Sequence, residues 1–297
     1  MKFTNYLDLL AGDIRLIGTQ DFFKKILDSK KISNKHLAKK LKIPYRSLMN
    51  YLNGSRSLPL SLCKDILDLL GKYCDEYMEL FDKLFVNTVY AKSTCSHSKP
   101  VKLPKIFDEN LAYLVGAMHD GCVFSNKLKN QYLIQYVQYS NKKWLKTISD
   151  MLYKIFEIKP KQYERYVQLS NKVVYEFFSK VIEIPKYQKD WSSFLKNKPW
   201  YLQKYMIIGM FDAEGWCGTK DDLRIKFSQK NRGKLEEVRN ALNEHHIHSG
   251  DIVVEHHTSH ALYIAGKNVI KFITEIGCLS KNPKKIVKLE SIKQESS

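Results

Sequence analysis

The stretch Tyr201–Gly215 (YLQKYMIIGMFDAEG) constrains this chain more than any other. Leu202, Tyr205, Met206, Gly209, Met210 and Ala213 recur at the spacing of one helix face. Gly209 and Ala213 leave that face smooth enough for a second backbone to approach closely. The helix ends on Glu214 and Gly215, so a carboxylate meets the negative end of the helix dipole, where it is unfavourable without a nearby cation. Alone, this is equally well a buried helix with a glycine stop and a solvated acid. A partner upstream changes the balance. Residues 110–121 (NLAYLVGAMHDG) repeat the pattern, with Ala112 and Gly116 small and Asp120 before a glycine. Two such helices packed small face to small face bring Asp120 and Glu214 side by side. A carboxylate pair is costly unless protonated or bridged by metal, and its hard oxygens suit Mg²⁺.

Ile207–Gly215 (IIGMFDAEG) and Tyr113–Gly121 (YLVGAMHDG) resemble the two motifs of the monomeric LAGLIDADG homing endonucleases. The second copy is close, with Glu for the final acid. The first departs at His119, where the family has a small residue, and at Gly116, four residues before its acid where Gly209 is five before its own. The resemblance covers about residues 105–280. It implies double-stranded DNA as substrate, and Asp120 and Glu214 as catalytic Mg²⁺ ligands, one scissile phosphate at each. Gln138 and Gln229, late in paired strands, stand where the family places polar or basic groups that order active-site water.

Composition agrees with an anionic partner. Lys and Arg exceed Asp and Glu by 49 − 31 = 18, in a chain of 297 residues that is 44% hydrophobic. Strong basicity in a folded protein points to nucleic acid first. No apolar run approaches the roughly 18 residues of a membrane span, and no signal-peptide core follows Met1. Six scattered cysteines without a CxxC pair predict reduced thiols in a cytoplasmic protein and no zinc site.

Residues 1–30 read as helical. Ser29–Lys64 then holds nine basic residues and no Asp or Glu. Within it, Ser33–Gly54 (SNKHLAKKLKIPYRSLMNYLNG) reads as helix, turn, helix, with Pro44 opening the second helix and Gly54 closing it. Pro59 opens a further helix to about Leu70. About residues 18–85 resemble a helix-turn-helix of the phage-repressor type. That resemblance puts Tyr45, Arg46, Ser47, Asn50 and Tyr51 on or beside the groove-facing side of the second helix, with Arg56 nearby. The alternative is a basic bundle for protein contacts. Residues 87–105 read as an extended linker.

The remaining chain predicts two copies of the element order αββαββα, at 106–184 and 200–280, joined by 185–199 and followed by a basic tail, 281–297. Together with an all-α domain at 1–86 this is an α+β chain, a monomer with internal pseudo-twofold symmetry. In Leu223–Lys230 (LRIKFSQK) apolar residues alternate with Arg224, Lys226 and Ser228, which predicts a polar face, continued by Lys230, turned toward a DNA groove. The histidines at 245, 246, 248, 256, 257 and 260 lack repeated ligand spacing and read as a half-charged DNA-facing or surface cluster rather than a metal site. The tail reads as a short basic helix touching phosphate. The combined expectation is a cytoplasmic, Mg²⁺-dependent, site-specific DNA endonuclease. An initial Met and no terminal His-Asn argue for a freestanding enzyme rather than an intein. The alternatives are a transcription regulator retaining the endonuclease fold, and an RNA-splicing maturase.

Overall fold

The two small-faced helices meet where their side chains are smallest. A computed structural model of the chain describes residues 10, 13–71, 90–94, 98–104, 106–139, 141–185, 193–219, 221–255 and 258–295. In it, the helices Glu109–Ala117 and Trp200–Glu214 pack backbone to backbone. A Cβ built on Gly116 would lie 1.9 Å from the Met206 carbonyl oxygen, and one on Gly209 would lie 2.3 Å from that of Tyr113. Neither neighbour is a flexible side chain, so the helices themselves would have to part. Gly116→Ala is therefore expected to destabilise the chain by about 1–3 kcal/mol or more. An unchanged urea midpoint would contradict this packing.

The different spacing of acid from glycine is absorbed at the end of the first helix. Met118–Asp120 tightens into a 3₁₀ turn, whereas the second helix stays α-helical to Glu214. Three 3₁₀ steps and one α step from Gly116 rise about 7.5 Å, as do five α steps from Gly209. Both acids thus reach the same level of the helix pair.

In chain order the strands and helices are β1 (Ile14–Ile17), α1 (Gln20–Lys30), α2 (Asn34–Lys40), α3 (Tyr45–Leu52), β2 (Leu58–Pro59), α4 (Leu60–Gly71), β3 (Tyr90–Ser93) and β4 (Val101–Lys102). The first repeat comprises α5 (Glu109–Ala117), β5 (Gly121–Asn126), β6 (Gln131–Val137), α6 (Lys142–Phe156), β7 (Lys161–Gln162), β8 (Tyr166–Ser170) and α7 (Lys172–Glu176), which runs into a π-helical turn at Phe177–Val181. The second comprises α8 (Trp200–Glu214), β9 (Trp216–Cys217), β10 (Arg224–Gln229), α9 (Arg232–Glu244), β11 (Val253–Glu255), β12 (Ser259–Ala265) and α10 (Lys267–Glu275), followed by α11 (Pro283–Glu295). Each repeat supplies one four-stranded antiparallel sheet, in the orders β5-β6-β8-β7 and β11-β12-β10-β9. The helices following the central strands are capped alike: the Asn141 carboxamide oxygen accepts from Trp144 N–H, and that of Asn231 from Gly233 N–H.

The N-terminal third departs from the all-α expectation. Ile14–Ile17 is a strand within the stretch read as helix, and Leu58–Pro59 is a strand just before α4. The segment read as a linker supplies β3 and β4, and these four strands form a third antiparallel sheet, β2-β1-β3-β4. Residues 1–9 of the expected helix lie outside the described residues. Period-two burial explains β1, whose Ile14 and Leu16 are buried while Arg15 and Ile17 are only partly so. Pro44 precedes α3 as its N-cap residue, and Gly54 lies just past its end with φ 77°. Leu27, Leu37, Ala38 and Leu48 form a small apolar core beneath α1, α2 and α3.

Candidate active site and nucleic-acid face

Asp120 and Glu214 stand at the common end of the helix pair, both partly buried. Burial pushes the Asp120 carboxyl up to about 7, opposed by the Lys285 charge. Burial pushes Glu214 up to about 8, and the charge of Asp120 adds to the shift while Lys234 and Lys285 oppose it. The two acids therefore feel one another, as the helix packing requires. Gln229 donates a short hydrogen bond to Glu214, and Gln138 reaches across from repeat 1 to donate to the Ala213 carbonyl at 3.0 Å. Both carboxamides thus stand at the acid end, one on a carboxylate and the other on the backbone beside it.

Sequence reasoning missed two lysines at this end. Lys285 comes from α11, and its amine donates to the carbonyls of Phe211 and Gly215, the latter at 2.6 Å. Burial pulls it down to about 8, against the opposing pull of Asp212, Cys217, Glu214 and Asp120. It is a built-in cation at the end of α8, where the dipole is negative. Lys234 in α9 is also buried and pulled down to about 8, with Glu214 opposing the shift. Its counterpart after the first asparagine cap is Trp144, so the halves of the acid site differ chemically. The tail is helical as expected, and one face of it packs inward through Leu289 and Ile292, carrying Lys285 with it.

Asp212, two residues before Glu214, is fully buried and belongs to the frame. It accepts from Tyr113 Oη at 2.6 Å, Ser280 Oγ at 2.6 Å, Lys281 N–H at 2.7 Å and Asn282 N–H at 3.1 Å. Trp144 Nε1 donates to Tyr113 Oη at 2.7 Å, extending the network into α6. Burial raises the Asp212 carboxyl, and these donors work against that shift.

The β10 face alternates as expected: Ile225 and Phe227 are buried, Arg224 is exposed, Lys226 and Ser228 are half-buried, and Lys230 beyond the strand is exposed. The cations are already engaged, however. Arg224 forms two hydrogen bonds with Asp222, the Nη2 contact at 2.8 Å, and Lys226 lies 3.3 Å from Glu255. A phosphate on this face must exchange for those carboxylates. Gln229 lies on the opposite, buried face of the strand, turned to Glu214.

In the N-terminal module Tyr45, Arg46 and Arg56 are exposed, and Ser47 and Asn50 are half-buried. These five lie on or just beyond one short helix, about one repeat's breadth of sequence before Asp120 and two before Glu214. Among the histidines, His245 stacks on Trp200 with ring centroids 3.9 Å apart, and residues 256 and 257 lie outside the described residues. No cluster of three or more His, Cys, Asp or Glu suited to a metal occurs among the described residues. No described helix is long and apolar enough to cross a membrane.

Residues 202–277 match the family model described as a LAGLIDADG-like domain. The match spans α8 to α10, including Glu214, Gln229 and β10. No curated protein matches the chain. Among solved structures, the chain is similar to I-DmoI in complex with DNA and Mn, at 23% identity over 57% of this chain and 96% of that one, with a TM-score of 0.45. It is similar to the homing endonuclease I-WcaI bound to its DNA recognition sequence, at 16% identity over 61% and 85%, TM-score 0.48. It is also similar to full-length DUF199/WhiA from Thermatoga maritima, at 16% identity over 65% and 63%, TM-score 0.41.

Proposed function

We propose that this chain is a site-specific DNA endonuclease that hydrolyses phosphodiesters at the Asp120–Glu214 pair and makes double-strand breaks. The observation that carries the reading is the pair itself: two mutually repelling carboxylates held level by a helix contact that admits no Cβ. An arrangement so unfavourable to two bare anions suits a divalent cation. The donor set fits Mg²⁺, which accepts one or two carboxylates and keeps several waters. When bound there, Mg²⁺ would activate water and offset charge on the scissile phosphate and leaving oxygen. The protein's own groups orient and balance the site: Gln229 fixes the Glu214 carboxylate, Gln138 braces the backbone beside it, and Lys234 and Lys285 supply positive charge. The sheet faces bearing Arg224, Lys226, Ser228 and Lys230 would lie along the duplex, and the basic helices carrying Tyr45, Arg46, Ser47, Asn50 and Arg56 would add a further contact. Both acids come from one chain, which supports a monomeric active form.

The reading is tested by incubating the full chain with a randomised duplex library and Mg²⁺, then sequencing the cut ends. Enrichment of one site cut on both strands supports it. Library fragments retained but never cut, with Mg²⁺ or Mn²⁺, overturn hydrolysis. That outcome supports the second reading, a regulator using the fold as a clamp, which the placement of Lys285 among the acids favours.

Mg²⁺ affinity should be pH-dependent. Asp120 near 7 and Glu214 near 8 hold protons that the cation must displace, so affinity should rise from pH 6 to about 8.5, by up to about tenfold per pH unit for each proton released, then level off. The sign for stability is opposite. Without Mg²⁺ the folded acids bind more protons than the unfolded ones between their ordinary values and about 8, so their contribution falls as pH rises through that window. Titration calorimetry in buffers of different ionisation enthalpy measures the released protons. A flat affinity across this range would contradict the assignment.

A further inference from the structure

The segment between the basic module and repeat 1 is built into a sheet, and that sheet is fastened to the repeat. β1 pairs with β3 from Ile14–Ser93 to Ile17–Tyr90, and β3 pairs with β4. Tyr90 Oη and Lys102 Nζ converge on Glu157 at the end of α6, the lysine at 2.8 Å. Lys172 of α7 forms an ion pair with Asp13 at 2.6 Å, and Asn171 donates to the Lys99 carbonyl at 3.0 Å. Ile14, Leu16, Ala91 and Val101 belong to the same continuous apolar core as Trp144, Leu169 and Val173. A tether would show none of this.

The place of attachment is specific. A cavity at the junction is lined by Ser93 of β3 and Ser98 between β3 and β4, by Lys129 and Asn130 of the β5–β6 turn with Gln131 and Tyr132 at the start of β6, and by Ser170–Lys172. That turn is the far end of the repeat-1 sheet. β5 runs six residues away from Asp120, so its tip is about 20 Å from the acid pair, or roughly 6 base pairs along a duplex. Lys35, Lys39, Lys40, Lys42, Arg46 and Arg56 are all exposed, and none forms an ion pair among the described residues. Repeat 2 has no counterpart among the described residues, because its following helix, α11, turns back to the acid end.

We propose that the N-terminal basic module and repeat 1 form one rigid DNA-binding surface, so that contact with DNA extends beyond the outer end of the repeat-1 half-site and not beyond that of repeat 2. The inference rests on the DNA-binding reading above. A rigid mount places the extra phosphates at a fixed distance from the cleavage centre, whereas a tether would spread them over many positions. It also fixes the choice of variant. Deleting residues 1–90 would strip β1 and β2, with Ile14, Leu16 and Leu58, from the shared core and leave β3 without its partner β1, so exposed residues are changed instead.

The test uses the duplex selected from the library, shortened one base pair at a time from either end, with affinity measured without cleavage in Ca²⁺. Shortening one end is expected to lower affinity about tenfold or more in a single step, at a length beyond about 6 base pairs from the centre. Shortening the other end should show no step at that distance. K39A/R46A should bind the full duplex as weakly as wild type binds the shortened one, and lose the step. Its log–log salt slope should fall by about 0.9 for each phosphate that the variant no longer neutralises. Equal responses at both ends, a gradual decline, or a step retained in K39A/R46A would each overturn the inference while leaving DNA binding intact. A chain that binds no duplex would instead overturn the DNA reading, and this proposal with it.

Discussion

Asp120→Asn and Glu214→Gln are each expected to reduce Mg²⁺-dependent cleavage of the selected duplex by at least about 10³-fold. Such losses follow when a preorganised group acting on developing charge is removed. Affinity for the uncut duplex should hold near pH 7 and rise above about pH 8, where each change deletes a negative charge facing phosphate. Removing Asp120 also relieves Glu214, which loses one of the two causes that raise it. The Asp120→Asn variant should therefore fold at least as stably as wild type without Mg²⁺. Single-turnover cleavage and binding on the same duplex separate the two effects. Cleavage at wild-type rates in both variants would remove these acids from the reaction.

Asp212→Ala should have the largest effect on stability, about 3–5 kcal/mol. The carboxylate is buried and receives hydrogen bonds from Tyr113, Ser280, Lys281 and Asn282. Removing it strands several buried donors at once and loosens the segment that leads into α11. Lys285 hangs from that helix, so the acid site should lose order along with the frame. Asp212→Asn keeps an acceptor and should cost less. Denaturant unfolding of the two variants measures the difference, and equal midpoints for Asp212→Ala and wild type would show that this network carries no stability.

The motif helices, their contact and both αββαββα repeats were legible because their signals are local: small residues four apart, apolar alternation in β10 and an acid before glycine. The third sheet was hidden by its long-range pairing. β1 has only four residues in a stretch rich in Leu and Ile, and its partner β3 lies more than 70 residues on, within small polar residues that resemble a linker. Lys285 was hidden among the other lysines of the tail, although a signal was present. Lys285, Leu289 and Ile292 share the i, i+4, i+7 face of α11, so one lysine lies on the apolar stripe that buries the helix. The ion pairs of Arg224 and Lys226 could not be read from alternation. A period of two gives the face of a side chain, whereas Asp222 and Glu255 come from the preceding turn and the strand beyond β12.

A divalent cation between the two motif helices is the centre of the proposed chemistry. Crystals of the full chain with its selected duplex and Mn²⁺ would locate the ion by anomalous scattering. Anomalous density is expected against the carboxylates of Asp120 and Glu214, absent in an Asp120→Asn/Glu214→Gln variant bound to the same duplex. Density elsewhere, or none at the helix pair while the duplex is bound and Lys285 remains on the Phe211 and Gly215 carbonyls, would contradict the proposed chemistry.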